Sequence, residues 1–177
     1  MKEKKISCLI GITSSILLLV LDQFTKYLAS TYLKGGHSVI LVKGVFQLHY
    51  LENRGAAFGM MQGMKPWFVV GTFLMLILMI FIYWKSPMEK KFRWARFILI
   101  LLTAGALGNL VDRLALDYVV DFFYFELIDF PIFNMADIYV SCGVVLLVLF
   151  FLFYYKDEDI ERLISFKKLR KKQSDTL

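Results

Sequence analysis

Residues 119–137 read VVDFFYFELIDFPIFNMAD, with Asp121 and Asp137 set among Val, Phe, Ile and Met and no Lys or Arg in the stretch. A carboxylate with apolar neighbours is costly unless something requires it there. Two carboxyls sharing one poorly solvated site cannot readily both ionise. Repulsion and desolvation raise one pKa, and the pair holds a single proton near neutral pH. One member then draws a proton from water, and the other donates to a carbonyl oxygen or a leaving amine. That is aspartyl amide hydrolysis, with neither a metal nor a covalent intermediate. No rival nucleophile stands out: Ser141 lies in an apolar run with no Lys or His placed to activate it.

Other polar residues sit where long apolar runs end. Asp22 is near the end of the first run, Asn109, Asp112 and Arg113 close the third, and Asn134 and Asp137 open the fourth. Glu52, Asn53 and Arg54 stand beside Gly55, Ala56 and Ala57, whose lack of bulk lets a backbone approach an extended peptide closely. Each polar residue also has a purely structural role open to it. Asp22 and Lys26 are four apart, the favourable order for a helical ion pair. Asn109 and Arg113 share a helix face, Asp112 can pair with Arg113, and Asn134-x-x-Asp137 has the shape of a helix N-cap. Asp121 alone can simply face water. Two such acids brought to one interface are better explained by a shared site.

The elements that must position these groups are read from hydropathy. Of the 177 residues 58% are hydrophobic, with mean hydropathy +0.60, against about 45–50% apolar in soluble domains. The excess lies in four long runs, which predicts a single membrane domain with spans at about 6–29, 66–84, 96–113 and 134–155. The N-terminal MKEKK resembles the start of a secretory signal, but Leu28-Ala29-Ser30 is a weak cleavage site, so an uncleaved span is expected. In residues 38–52, Phe46, Leu48 and Tyr50 alternate with Gln47 and His49, and Lys43-Gly44 can turn the chain. A small hairpin outside the membrane follows, within a region of about 34–58. Ala104 and Gly108 form a small-xxx-small pair for close helix approach. Beyond the fourth run, Ile160, Leu163, Ile164 and Leu169 alternate with basic residues, as in a short helix on the inner leaflet or a solvated tail.

Charge placement orients the chain. Lys2, Lys4 and Lys5 precede the first run, Lys85, Lys90, Lys91, Arg93 and Arg96 lie between the second and third, and the basic tail 156–177 follows the fourth. The other two connections carry far fewer cations. The positive-inside rule then puts both termini in the cytoplasm and residues 30–65 and 114–132 outside. The net charge of +6 flanks membrane spans, which favours anionic lipid over nucleic acid as its partner. Cys8 and Cys142 fall in apolar runs, and His37 and His49 lack metal-site spacing, so no metal or other cofactor is expected.

Five stretches together resemble the lipoprotein signal peptidases of the signal peptidase II type: DQFTK (22–26), NRGAAFG (53–59), GNLVDR (108–113), VVDFF (119–123) and FNMAD (133–137). They occur in the family's order and reach from the first span to the fourth. The resemblance implies an all-α bundle of four transmembrane helices with a small extracytoplasmic β-sheet cradle and a short helix. It implies a multi-pass enzyme of the bacterial cytoplasmic membrane, with its active site at the extracytoplasmic face. The implied substrate is a prolipoprotein whose signal peptide is cut just before a diacylglyceryl-modified cysteine. The catalytic aspartates would be Asp121 and Asp137, supported by Asp22, Lys26, Asn53, Gly55, Asn109, Asp112, Arg113, Asn134 and Ala136. Membrane lipids and globomycin-type cyclic peptides are the other implied partners, and a monomer is expected. The outer hairpin can hold the signal peptide as an added strand, and residues 58–64 have the composition of a flap. The alternatives are a small proton- or ion-coupled transporter, since intramembrane acids mark such paths, and a non-catalytic lipid-binding subunit.

Overall fold

The computed structural model describes residues 2–55 and 65–164. The chain order is α1 (Lys2–Tyr32), β1 (Ser38–Val42), β2 (Phe46–Asn53), α2 (Lys65–Lys85), α3 (Arg93–Ala115), β3 (Val119–Tyr124), α4 (Met135–Phe153) and α5 (Asp157–Ile164). Among the described residues, four helices are long and apolar enough to cross a membrane, and they correspond to α1–α4. Their outer faces carry exposed apolar side chains such as Ile12, Leu17, Leu74, Ile77 and Val148. In a bilayer such faces meet lipid rather than water. The molecule is a membrane helical protein with a small sheet at one end.

α3 is the hub, packed against α1, α2 and α4. Small residues make this possible. A Cβ on Gly105 would lie 2.5 Å from the Ala136 carbonyl oxygen, and one on Gly108 would lie 2.5 Å from Asp22 Oδ2 and 3.0 Å from the Ala136 methyl. Ala104 and Ala136 are fully buried. The small-residue face expected at Ala104 and Gly108 therefore includes Gly105, and it seats the start of α4 against α3.

The sheet is antiparallel in the order β1-β2-β3. The β1–β2 hairpin lies within the region predicted for one, turning at Gly44, whose φ of +70° suits glycine. A third strand joins the hairpin and carries Asp121. Val119–Tyr124 pairs with β2, with Asn53 opposite Val119 and Leu51 opposite Asp121. Its β-branched and aromatic residues suit a strand, and its two faces diverge by the period of two. Val120 and Phe122 pack on Ala29 of α1 and on Leu33 just after it. Asp121 points the other way.

Two short connections bring the acids' elements together. Residues 116–118 join α3 to β3, with Leu116 N–H bonded to the Asp112 carbonyl at 2.8 Å. After β3, a single 3-10 turn (Glu126–Ile128) leads to residues 130–133. There Phe133 folds back on β3: its carbonyl accepts from Phe122 and Phe123 N–H (3.0 and 2.8 Å), and its N–H donates to the Phe123 carbonyl at 3.1 Å. That pairing fixes where α4 begins.

At the opposite end α5 docks on the start of α3. Ile160 and Leu163 pack with Phe92, Ala95 and Tyr155. The apolar face expected to lie on lipid therefore meets protein here. Lys91 pairs with Asp159, and Arg162 with Glu89. The flap expected at 58–64 and the tail beyond 164 fall outside the described residues.

Candidate active site

Asp121 and Asp137 line one cavity of about 450 Å³, together with Asn53, Asn109 and Arg113. Asp121 arrives on β3 and is 2% exposed. Asp137 arrives in the first turn of α4, as the third helical residue and the closing member of a complete capping box: Asn134 Oδ1 accepts from Asp137 N–H at 3.0 Å, and Asp137 Oδ2 accepts from Asn134 N–H at 3.1 Å. The structural and chemical roles weighed for this pair thus coincide. The cap that starts the helix also aims the acid.

Three asparagine amides surround the two carboxyls, and each is oriented by an obligatory donor. Asn53 Oδ1 accepts from Gly55 N–H at 3.0 Å, which turns its Nδ2 to Asp121 Oδ2 at 2.9 Å. Asn134 Oδ1 is occupied by Asp137 N–H, so its Nδ2 faces Asp121 Oδ1 at 2.6 Å. Asn109 Oδ1 accepts from Lys26 Nζ at 3.0 Å, and its Nδ2 donates to Asp137 Oδ1 at 2.8 Å. Lysine and backbone N–H have no acceptor capacity, so these amides cannot be reversed without loss. Each of the four carboxyl oxygens therefore receives one N–H donor. A second lone pair on each remains for a proton, a water or a substrate.

Burial pushes the Asp121 carboxyl up to about 7, and the Asp137 charge adds to the rise. The amides of Asn53 and Asn134 oppose it by favouring the charged form. An acid poised near neutral pH is the state that proton transfer at that pH requires.

Behind the pair lies a buried ionic cluster. Lys26 Nζ reaches Asp22 Oδ2 at 2.9 Å and Asp112 Oδ2 at 3.0 Å, with all three side chains at most 3% exposed. Asp22 Oδ1 accepts from Ala136 N–H at 2.9 Å, and Asp112 Oδ2 accepts from Val120 N–H at 3.0 Å. Asp22 thus holds the start of α4, and Asp112 holds β3 one residue from Asp121. The Asp22–Lys26 pair is present as its spacing suggests. The suggested Asp112–Arg113 pair is not how these residues are used: Asp112 turns inward to Lys26. Arg113 instead donates to the Gly55 carbonyl at 3.3 Å and to the Asn109 carbonyl at 3.4 Å, with its guanidinium 5.3 Å from the Phe68 ring centre.

One connected set of contacts brings together Asp121, Asp137, Asp22, Lys26, Asn53, Gly55, Asn109, Asp112, Arg113, Asn134 and Ala136, whereas Glu52 and Arg54 pair with each other at its edge. Gln23 was missed. Its Nε2 donates to Asp112 Oδ1 (2.9 Å), the Gly108 carbonyl (3.2 Å) and Asp22 Oδ2 (3.2 Å), stitching α1 to α3. A polar residue beside Asp22 at the end of an apolar run was the available signal. Among the described residues, no group of three or more His, Cys, Asp or Glu is arranged to hold a metal ion.

Comparison with known proteins gives consistent matches. The family model described as signal peptidase (SPase) II matches residues 14–153. Lipoprotein signal peptidases of Streptococcus pyogenes serotype M5 (strain Manfredo) and serotype M18 (strain MGAS8232) are each 37% identical over 148 residues, covering 84% of this chain and 94% of theirs. Two solved bacterial membrane enzymes, determined in meso at 2.3 and 1.9 Å, superpose with TM-scores of 0.75 and 0.73. They are 30% and 32% identical and cover 91% and 82% of this chain, each over 94% of its own length.

Proposed function

The chain belongs to the signal peptidase II family, an aspartic-type peptidase that removes signal peptides from prolipoproteins, and on that premise we propose that Asp121 and Asp137 are its catalytic pair. The observation that carries the proposal is their shared cavity, in which interlocked asparagine amides address both carboxyls.

The reaction follows from the geometry. The ionised member of the pair takes a proton from a water in the cavity, and the water oxygen attacks the scissile carbonyl carbon. The protonated member donates to the developing oxyanion. As the resulting gem-diol collapses, the C–N bond breaks, the leaving amine takes the proton that one acid gained from water, and a hydroxyl returns its proton to the other acid as the carbonyl reforms. One proton is shared again at the end, so the pair is regenerated. Asn53, Asn109 and Asn134 hold both carboxyls in place, so orientation is set before substrate arrives.

The cavity also suits the substrate. It is polar at the aspartates and apolar along Phe130, Ile132, Ile138 and Val140. A peptide carrying a diacylglyceryl-cysteine would place its scissile bond at the acids and its acyl chains along that wall, with cleavage just before the cysteine. Cations are concentrated at the far end, near Lys2, Lys4, Lys5, Lys85, Lys90 and Arg93. By the positive-inside rule that end is cytoplasmic, so both termini lie there and the site faces the outer side of a bacterial membrane. The chain acts as a single membrane domain and a monomer, and globomycin-type peptides compete for the same cavity.

Replacing Asp121 by Asn tests the assignment. Purified variant in proteoliposomes should insert and fold normally yet release no signal peptide from a diacylglyceryl-modified prolipoprotein peptide. Retained turnover would remove Asp121 from the catalytic pair.

A further inference from the structure

Lys26 touches neither Asp121 nor Asp137 in the hydrogen bonds described above, yet its ammonium lies at the root of the amides that do. Its three N–H donors are matched by three acceptors: Asp22 Oδ2 at 2.9 Å, Asp112 Oδ2 at 3.0 Å and Asn109 Oδ1 at 3.0 Å. A lysine only donates, so the Asn109 atom facing it must be oxygen. The Asn109 amide nitrogen is then directed to Asp137 Oδ1 at 2.8 Å. The remaining lone pair of Asn109 Oδ1 accepts one Asn134 Nδ2 hydrogen at 3.1 Å, and the other hydrogen goes to Asp121 Oδ1 at 2.6 Å. One buried cation thereby sets the polarity of the amide that reaches Asp137 and supplies the acceptor for the amide that reaches Asp121.

We propose that Lys26 is a positioning residue for the Asp121/Asp137 pair, fixing through Asn109 the N–H donor that Asp137 receives and the acceptor that steadies Asn134 beside Asp121. The proposal rests on the assignment of those two acids as the catalytic pair. Without Lys26, only the Asn134 amide at 3.1 Å still opposes reversal of the Asn109 amide. Once reversed, its oxygen would face Asp137 and accept a hydrogen bond from the protonated carboxyl, holding on Asp137 the proton that the two acids share. The ammonium also contributes charge. The charged groups around the pair are Asp22 and Lys26 from α1 and Asp112 and Arg113 from α3, while β2 contributes the neutral Asn53. Charge and donor orientation must therefore be separated.

Two variants do this. Lys26→Met removes both the charge and the donor. Lys26→Met/Asp112→Asn removes the donor but leaves the net charge of the cluster as in the parent, and it keeps an acceptor for Val120 N–H. Each is purified in proteoliposomes and assayed on a prolipoprotein peptide bearing diacylglyceryl-cysteine, with kcat and KM measured across pH and thermal unfolding alongside. In both variants kcat should fall at least about tenfold, with KM within about twofold of the parent. In both, the pH profile of kcat should move to higher pH by about one unit, because the ionised carboxyls have lost an ordered donor. A parent-like kcat, a fall in kcat with an unmoved profile, or failure of both variants to fold would each overturn the proposal. The catalytic assignment is judged separately by Asp121→Asn. If that variant is inactive while the Lys26 profiles stay put, only the positioning role fails.

Discussion

Asn134 donates to Asp121 across 2.6 Å with the same side chain whose oxygen caps the helix that carries Asp137. The side chain that starts α4 therefore also reaches the carboxyl on β3. The consequences of altering this residue should divide according to which atom is kept.

Asn134→Ser keeps a capping oxygen but loses the amide donor. Thermal unfolding should stay near that of the parent, while kcat falls about tenfold or more. Asn134→Ala loses both, so a destabilisation of about 1 kcal/mol should accompany the catalytic loss. Equal unfolding of the two variants would show that the cap is dispensable.

The pH dependence of stability should report on Asp121. Its carboxyl is pushed from 3.8 up to about 7 in the fold. Between those values the folded chain holds a proton that the unfolded chain releases. The resulting stabilisation is full below 3.8 and disappears as pH rises through about 7. Unfolding in detergent should therefore show the parent losing stability between pH 3.8 and about 7 relative to Asp121→Asn, which lacks the titration. The basic limb of kcat/KM should fall in the same range if Asp121 is the member that carries the proton. Parallel stability curves would contradict the raised value.

Glycines on different helices should respond oppositely to alanine. A Cβ at Gly108 meets Asp22 and Ala136, whereas one at Gly71 meets nothing within 4 Å. Gly71→Ala should be neutral or stabilising by up to about 1 kcal/mol through helix propensity. Gly108→Ala should separate α3 from Asp22 and the start of α4 and abolish turnover. Yield of folded protein and signal-peptide release distinguish the two outcomes.

Arg113 holds the Gly55 carbonyl, at the base of the segment that follows β2. Lysine retains the charge but not the fork that reaches Gly55 and Asn109 together. Arg113→Lys should lower kcat/KM about tenfold, mainly through KM, with kcat less affected. A loss confined to kcat would move Arg113 from substrate positioning to the chemical step.

Tyr155 offers a control distant from the chemistry. Its hydroxyl accepts from Ala95 N–H at 3.2 Å and donates to the Lys91 carbonyl at 3.2 Å, tying the end of α4 to the start of α3. Tyr155→Phe should cost about 1 kcal/mol of stability and leave kcat and KM unchanged. Altered kinetics would indicate coupling between the two ends of the bundle.

The sequence by itself determined the long apolar runs, the hairpin region and the two acids proposed as the catalytic pair. Hydropathy and period-two alternation are local properties, legible without partners. An acid such as Asp121, flanked by Val120 and Phe122, advertises its cost in any conformation. The tertiary structure alone decided who holds whom. Asp112 lies next to Arg113 in the chain but bonds to Lys26, because a tight turn after α3 carries β3 over Asp112 while Arg113 faces Gly55. The strand at 119–124 emerges only once β2 lies beside it and α1 covers its apolar face. Gln23 and the methyl-sized Ala136 matter for where they end up, against α3, which no spacing rule encodes. Hydrogen-bond partners depend on three-dimensional distance and donor direction, and these are settled when helices distant in sequence pack together.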